Sequence, residues 1–237
     1  MKGLRLPAAT DNTDRPTMTL ARVAVLTFAV AAALPSVALA QSRDPEPFAR
    51  FAADVRGALP RYPKDPSTET ALAVTTENMP KRGLGLAFGA NVYPFRLGKV
   101  AIGFGAELIT TRGSKTIEST TQSSTATTTG PTVKTHFSTF APHVSLNFGS
   151  RKGWSYLSGG LGRAQFTTEL ESHPVGDATS KPKVLHYGGG ARWFAQEHVA
   201  FTFDIRFYRI DPQAATTTRP AYGGRRLLVA SAGISFK

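Results

Sequence analysis

The sequence predicts an all-β protein, a single eight-stranded antiparallel up-and-down barrel. Three observations lead to this fold class. Apolar and polar residues alternate along eight segments, which is typical of strands with one apolar face. Short and long connections alternate between these segments, and helical spacing is hard to find past residue 47. An even number of strands then places both chain ends on the side of the short turns.

The first forty residues are predicted to be a cleaved secretory signal. Arg22 precedes an apolar run over Val23–Leu34, and the small-residue site Ala38–Ala40 follows a helix-breaking proline. This order matches the basic, apolar and cleavage regions of a signal peptide. The run is shorter than the roughly 20 apolar residues of a membrane-spanning helix. Residues 1–17 are polar, so we expect translation to start at Met18.

The predicted signal peptide divides the chain into three parts. The expected organisation is a signal peptide over 1–40, a short periplasmic lead over 41–47 and the barrel over 48–237. The whole chain has 28 Lys and Arg against 16 Asp and Glu. It contains no cysteine, which excludes disulfide scaffolds, thiol catalysis and thiolate metal sites.

The clearest strand is the segment Val199–Tyr208. Its odd-numbered residues are Val, Phe, Phe, Ile and Phe, and its even-numbered residues include Thr202, Asp204 and Arg206. Similar alternation predicts the other strands, except that the faces of the segment 154–168 cannot be assigned. The predicted strands are 50–59, 83–92, 100–108, 138–148, 154–168, 184–194, 199–208 and 228–236.

The lengths of the connections between these strands predict which end of the barrel carries short turns and which end carries long loops. Three are short, at 94–99, 149–153 and 195–198, and they alternate with four long ones. The long connections are expected at 60–82, 111–135, 171–183 and 210–225. Short turns on one side and long loops on the other are typical of bacterial outer-membrane barrels.

Alternation alone does not say which face meets lipid, but three features favour an apolar outside. The polar faces are mostly Gly, Ala, Ser and Asn, which suits a narrow packed interior. Lysine is concentrated in the connections. Aromatic residues gather near predicted strand ends and resemble the interfacial girdles of membrane barrels; they are Tyr93, Phe95, Phe148, Trp154, Tyr156, Trp193, Phe194 and Phe236. We therefore predict a transmembrane barrel, with a soluble periplasmic lipocalin-like ligand-binding barrel as the alternative.

The signal, the eight strands and the alternating connections together resemble the small outer-membrane β-barrels of the OmpA-transmembrane and OmpX type, over about residues 47–237. The last predicted strand adds to this resemblance, because it alternates apolar residues and carries an aromatic near its end. The resemblance implies an outer-membrane location and recognition by the barrel-assembly machinery. The implied assembly signal consists of Leu228, Ala230, Ala232, Ile234 and Phe236. Lys237 departs from the pattern, since it makes the aromatic penultimate.

Charged residues fall on the faces predicted to point into the lumen. An eight-stranded barrel is just wide enough to be filled by its own side chains, so charges there must pair with each other. A structural ion-pair network is favoured over a path for a substrate or ion. The predicted network comprises Arg50, Asp54, Arg56, Glu107, His143, His186, Arg192, Asp204 and Arg206, with Arg163 as a further candidate.

Catalytic and cofactor motifs are weak. Ser155 and Ser158 lie on one predicted strand, with His143 and His186 on its sequence neighbours, so a Ser–His pair is conceivable. The histidines show no metal-ligand spacing, and the glycine clusters at 159–162 and 188–190 lack the phosphate-loop fingerprint. We expect no catalytic residues, no metal and no cofactor. The alternative is a lipid-A-modifying or acyl-hydrolase barrel enzyme.

Basic residues near the long connections suggest a lipid partner. Export makes a nucleic-acid partner unexpected, and lipopolysaccharide phosphates are the natural anions at that height. The residues concerned are Lys81, Arg82, Arg112, Lys115, Lys134, Lys181, Lys183, Arg219, Arg225 and Arg226. The connection over 116–132 is rich in Ser and Thr, as in segments without a packed core. The expected function is non-enzymatic, structural or surface-interacting through the long loops, and a narrow solute pore is disfavoured. The extracellular ligand is not identified.

Overall fold

The structure is a computed structural model, and it describes residues 49–64, 66–119, 128–150, 152–171, 173–175, 181–215, 221 and 223–237. The predicted signal peptide and periplasmic lead lie outside the described residues. Within them the structure has nine strands and two short helical segments. The strands are β1 (Phe51–Arg61), β2 (Leu84–Leu97), β3 (Val100–Ser119), β4 (Thr128–Ser150), β5 (Gly153–Leu170), β6 (His173–Val175), β7 (Lys183–Phe194), β8 (Val199–Ile210) and β9 (Arg225–Phe236).

Eight of these strands form a closed antiparallel ring. Each pairs with its neighbours in sequence, in the order β1, β2, β3, β4, β5, β7, β8, β9, and β9 pairs with β1 to close the barrel. At the closing seam Ala53 lies opposite Phe236, and Leu59 lies opposite Ala230. The short strand β6 pairs with β5 beyond the ring. The predicted eight-stranded up-and-down barrel is therefore confirmed.

Two of the strands are much longer than the sequence predicts. β3 has 20 residues and β4 has 23, so most of the connection expected over 111–135 is strand, and Ser119 pairs with Thr128. The remaining residues of that connection, 120–127, lie outside the described residues. Together β3, β4 and β5 extend beyond the other strands on the loop side. We call residues 113–119, 128–135 and 164–170 the projecting wall.

Prolines lie at several interruptions of the regular pairing of the barrel, two of which are at Pro142 and Pro94. Pro142 in β4 has no N–H, and the β4–β5 ladder stops at Phe140 opposite Arg163 and resumes at His143 opposite Gly160. Near Pro94 the register of β2 on β3 shifts between Val92 and Phe95.

The apolar face of the ring points outward. Phe201 is 65% exposed and Leu161 is 67% exposed, whereas Asp204 and Arg192 are only 1% and 2% exposed. This is the phase of a transmembrane barrel and the reverse of a soluble one. β5 follows the same phase, with Leu157 and Leu161 outside. We call the outward apolar side chains the apolar belt: Phe51, Val55, Leu59, Leu84, Leu86, Phe88, Val92, Phe95, Leu97, Val100, Ile102, Phe104, Leu108, Phe140, Val144, Leu146, Leu157, Leu161, Leu185, Tyr187, Trp193, Phe201, Phe203, Ile205, Phe207, Ile234 and Phe236.

The lumen contains three layers of side chains. At the short-turn end, an apolar layer is built from Ala52, Tyr93, Ala101, Trp154 and Tyr156. A layer of charged residues follows. The loop-side layer is again apolar, and consists of Ala58, Tyr62, Ala87, Ile109, Phe137, Ala164, Val184, Tyr208, Ile210, Leu227 and Val229.

The inner apolar layer corrects part of the predicted aromatic girdle. Tyr93, Trp154 and Tyr156 point into the lumen and are nearly inaccessible, and Tyr93 packs edge-on against Trp154 at 5.9 Å between ring centroids. Their position near strand ends is as expected, but their place in the alternation puts them inside. Phe95, Trp193 and Phe236 are exposed on the outer face, as a girdle requires.

The connection between β1 and β2 is folded and packs against the projecting wall. It contains a helix, α1 (Pro66–Leu72), and a turn of 3-10 helix, Thr76–Asn78. Leu72 and Met79 pack with the buried Val133 on the inner face of the wall. Within the part of the chain that the structure describes, no helix has the length and apolar character needed to cross a membrane.

Candidate functional site

The charged layer brings together eight of the nine residues that the sequence assigns to the lumen. They are Asp54, Arg56, Glu107, His143, His186, Arg192, Asp204 and Arg206, and all are buried. The expectation for Arg50 is corrected. This residue precedes β1 and is exposed, because the strand begins one residue later and the alternation no longer points it into the lumen. Arg163 is also exposed, on the outer face of β5.

The larger ion-pair cluster joins β1, β3 and β8. Arg56 contacts Glu107 through Nη2, and its Nη1 lies 3.3 Å from Oδ1 of Asp204. Arg206 Nε lies 2.9 Å from the same Asp204 oxygen and 3.4 Å from Oε2 of Glu107. Two guanidinium groups therefore share two carboxylates.

Two tyrosines complete the hydrogen bonds of these carboxylates. Tyr156 donates its hydroxyl to Oδ2 of Asp204 at 2.7 Å, and Tyr208 donates to Oε1 of Glu107 at 2.5 Å. Neither tyrosine was predicted from the sequence to belong to the network. Tyr208 lies on the predicted polar face of its strand, so alternation was a usable signal for it. Tyr156 lies in the segment whose faces could not be assigned.

The second cluster is the pair formed by Arg192 of β7 and Asp54 of β1. The guanidinium binds the carboxylate through two bonds, Nε–Oδ1 at 3.0 Å and Nη2–Oδ2 at 2.6 Å. Nε also donates to the Ser235 hydroxyl at 3.1 Å. The guanidinium lies over the ring of Tyr156, with Cζ 4.5 Å from the centroid. This bidentate geometry is the strong form of the Arg–carboxylate contact.

These two clusters balance their own charge. Three guanidinium groups (Arg56, Arg192 and Arg206) meet three carboxylates (Asp54, Glu107 and Asp204), so their formal sum is zero. Burying unpaired charges would be very costly, and here each charge has a partner on a different strand or two residues along the same strand. Apolar layers cover the charged layer at both ends. The arrangement ties the strands together and fills the lumen.

The serines and histidines considered for catalysis do not form a catalytic pair. His143 Nε2 contacts Asn91 Oδ1 at 2.8 Å, and His186 Nδ1 contacts Arg206 at 3.3 Å. Ser155 points outward from the barrel, on the opposite face of the sheet from both histidines. The Ser158 hydroxyl has no hydrogen-bond partner in the described residues. No group of three metal-ligating side chains is found in those residues.

On the outside, basic residues border the apolar belt at its loop-side edge. Seven of the eight barrel strands contribute one, and Arg82 lies two residues before β2. In the ladder they stand opposite one another in four pairs. We call them the basic rim: Arg61 with Arg82, Arg112 with His136, Arg163 with Lys183, and Arg209 with Arg226.

The rim includes some of the basic residues named from the sequence and adds others. Arg82, Arg112, Lys183 and Arg226 were expected at this height. Arg61, His136, Arg163 and Arg209 were missed, because their place opposite another base depends on strand register, which the sequence does not show.

Two other bases that were expected to face lipid, Arg225 and Lys115, make contacts elsewhere. Arg225 stacks over the Phe166 ring at 4.7 Å and donates to Thr68, so it belongs to the inner face. Lys115 reaches the Glu77 carbonyl. Arg219 lies outside the described residues.

Two titratable groups outside the membrane-spanning segments are shifted. Burial, reinforced by the neighbouring Arg112 charge, lowers the pKa of His136 below its usual 6.5. Its Nε2 lies 3.2 Å from the Thr110 hydroxyl. Burial also raises the pKa of Tyr62, whose hydroxyl donates to Thr111 at 3.1 Å. Both shifts favour the neutral form of the side chain.

A groove on the outer face of β4 and β5 crosses the rim. Its volume is about 710 Å³, and its lower part is apolar, with Leu108, Phe140 and Leu161. Its upper part carries the bases Arg163, Lys181 and Lys183. A second groove of about 590 Å³ shares Gln165 with the first and continues up the projecting wall.

Comparisons with known proteins place the fold. No family model matches the chain, and no curated protein sequence matches it. Among solved structures it is similar to Neisserial surface protein A, NspA, with 13% identity and a TM-score of 0.50 over 80% of this chain and 97% of that one. The chain has the fold of the small eight-stranded outer-membrane β-barrels.

Two further structures are similar at lower scores. The outer membrane protein OprG from Pseudomonas aeruginosa has 10% identity and a TM-score of 0.45, covering 81% of this chain and 97% of its own. The attachment invasion locus protein Ail of Yersinia pestis, solved with a heparin analogue, has 10% identity and a TM-score of 0.42, covering 79% of this chain and 100% of its own.

Proposed function

We propose that this protein is a non-enzymatic barrel of a bacterial outer membrane, with a structural or surface-interaction role carried by its loop-side end. One observation carries the proposal: the outer face is a continuous apolar belt, while the charges are buried and paired in the lumen. An apolar surface of this extent needs lipid around it, and a charge-balanced core needs no ligand inside. The termini and the short turns then face the periplasm.

A filled lumen argues against a solute path as the main function. The charged layer lies between two apolar layers, and the described part of the first long connection packs on the inner face of the projecting wall. The surfaces available to other molecules are therefore the projecting wall, the loops and the outer face. These are the parts to which we assign the interaction.

Two partners belong to this proposal. The first is the barrel-assembly machinery, which would read the last strand. Leu228, Ala230, Ala232, Ile234 and Phe236 alternate along β9 on its outer face. The second partner is outer-membrane lipid, including lipopolysaccharide, whose phosphates would meet the basic rim.

The location is tested by heat-modifiable gel mobility of the membrane fraction. A folded membrane barrel in cold detergent should migrate at a different apparent mass from the boiled sample, and the band should sediment with outer membranes. A band found in the soluble periplasm, without a mobility shift, would support the lipocalin-like alternative instead.

The orientation is tested by cysteine labelling, which the cysteine-free chain allows directly. Ser114→Cys on the projecting wall should react with an impermeant maleimide in whole cells. Lys99→Cys in the β2–β3 turn should react after the outer membrane is permeabilised. The reverse pattern would contradict the proposed orientation.

The enzyme alternative has its own readout. Deleting the gene and measuring the mass of lipid A would reveal a missing acyl or head-group modification. We expect the lipid A mass to be unchanged and a surface property, such as adhesion, to be altered.

A further inference from the structure

The basic rim places like charges opposite each other across strands. In an antiparallel pair the Cβ atoms of opposite residues lie about 4.5–5.5 Å apart, and like charges there are destabilising. Arg61 faces Arg82, Arg163 faces Lys183, and Arg209 faces Arg226. Among the described residues, no carboxylate forms an ion pair with any of these six. These six charges therefore have no compensating carboxylate among the described residues, and an anion from outside the chain would relieve their mutual repulsion.

The height of the rim indicates which anions these are. Arg163 and Leu161 are two residues apart on the same face of β5, as are Lys183 and Leu185 on β7. At about 3.3 Å of rise per residue, each base lies roughly 7 Å farther along its strand, toward the loop side, than the last belt residue. That is where the hydrocarbon of an outer leaflet ends and its head groups begin.

One of these pairs opens onto a groove suited to a whole lipid. Below Arg163 and Lys183 the groove is lined by Leu108, Phe140 and Leu161. Arg163 Nη1 donates to the Lys181 carbonyl at 3.1 Å, which fixes the guanidinium at the upper end of the groove. The apolar side chains in the lower part of the groove suit an acyl chain. The cations in its upper part, Arg163, Lys181 and Lys183, suit an anionic head group.

We propose that this groove binds a single outer-leaflet lipid through a phosphate of its head group. The phosphate lies between Arg163 and Lys183, where the guanidinium can donate two hydrogen bonds and the ammonium supplies a second charge. An acyl chain lies along Leu108, Phe140 and Leu161. The site deepens the proposed function, on which it rests, because it needs the apolar belt to be immersed in a bilayer.

The test is native mass spectrometry of the folded protein in dodecyl maltoside micelles, titrated with bisphosphorylated lipid A. We expect a one-to-one adduct, with binding at least about tenfold weaker for lipid A whose phosphates have been removed. The double variant Arg163→Gln with Lys183→Gln should weaken binding of the phosphorylated lipid by about tenfold or more, as expected for losing charge-assisted contacts.

The matched control is Lys99→Gln with Lys152→Gln, which removes the same number of positive charges from exposed sites at the short-turn end of the barrel, outside the basic rim. This variant should bind bisphosphorylated lipid A with an affinity within about twofold of that of the unsubstituted protein. Equal losses in both double variants would reduce the site to diffuse attraction and overturn the proposal, as would no loss in either.

Two further measurements distinguish lipid binding from the binding of other anions and from misfolding of the variants. Inorganic phosphate at the concentration of the lipid should not displace it; displacement would indicate a phosphate site without a lipid and contradict the proposal. Heat-modifiable mobility of every variant shows that the barrel has formed. An unchanged protein that fails this mobility test would count against the proposed function, whereas folded variants that bind equally would count against the lipid site.

Discussion

At the scale of single residues, the interior depends on pairing that leaves no charge alone. Asp204 accepts from Tyr156, lies 2.9 Å from Arg206 and lies 3.3 Å from Arg56. Removing one member of a buried ion pair is strongly destabilising because its partners keep their charge without compensation. The same carboxylate contacts side chains of two other strands, so its loss would loosen the barrel at three points.

Asp204→Leu and Asp204→Asn should both weaken resistance to heat and urea. We expect a loss of about 3–5 kcal/mol in the free energy of unfolding, since two arginines would share the remaining carboxylate. Loop-side binding should not change. The measurement is the urea midpoint of the gel-shifted, folded form. Asp211→Asn, which makes the same chemical change at an exposed site after β8, is the control, and an unchanged midpoint for both Asp204 variants would contradict a stabilising network.

His136 on the rim should titrate below pH 6.5 in the folded barrel. Burial and the opposing Arg112 both disfavour the imidazolium. The unfolded chain therefore binds more protons at this site, and the stability linked to it is present above about pH 6.5 and decreases as the pH falls. NMR titration of the imidazole in micelles measures this directly. Arg112→Gln should raise the pKa, Arg209→Gln should leave it in place, and a pKa above 6.5 in the unchanged protein would refute the argument.

At the scale of strands, close approach between neighbours sets where glycine is required. Gly160 of β5 lies opposite His143, where the ladder resumes after Pro142, and a Cβ built on it would lie 2.0 Å from the Pro142 carbonyl oxygen. The adjacent Gly159 has room, since a Cβ there would approach no heavy atom closer than 3.6 Å. The glycine cluster that offered no phosphate loop therefore has a packing role at Gly160 and also at Gly162, where a Cβ would lie 2.3 Å from the Phe140 carbonyl oxygen.

Gly160→Ala should reduce the yield of folded barrel, and Gly159→Ala should not. In the first variant the backbone of β4 must move to make room, which costs about 1–3 kcal/mol by analogy with overpacked cores. In the second, the added methyl group makes ordinary contacts. The readout is the fraction of heat-modifiable band after refolding into detergent. Equal yields for the two variants would mean that the strands can separate at Pro142 without cost.

At the scale of strands, the sequence predicts which residues share a face but does not predict the strand extensions or the register. Period-two alternation assigns the faces of β8 and β9 because apolar residues there meet lipid and polar residues meet the lumen. Above the rim that contrast disappears, so the Thr- and Ser-rich extensions of β3 and β4 read as a loop. Tyr93 and Trp154 were placed in a girdle from their distance to strand ends, although the alternation determines their face. The opposed bases of the rim depend on register, which no local pattern contains.

At the scale of the whole molecule, the fold has its charges inside and its apolar side chains outside. A soluble barrel with the same alternation would place Phe201, Phe203 and Ile205 in its core. In the structure these side chains are exposed and Thr202 and Asp204 are buried. A charge placed on the outer face therefore distinguishes lipid from water around the barrel.

Phe203→Lys should destabilise the barrel in a bilayer by about 2–4 kcal/mol, the cost of a cation near the midplane on the lipid face. The position lies between the rim residue Arg209 and the start of β8, with its side chain 43% exposed. Val199→Lys, at the short-turn end of the same face, should cost about 0–1 kcal/mol because the ammonium can reach the interface. Urea titration of both variants in phosphatidylcholine vesicles gives the two values. If Phe203→Lys proved neutral in vesicles, water rather than lipid would surround this face. That result would contradict both the proposed membrane location and the proposed lipid site.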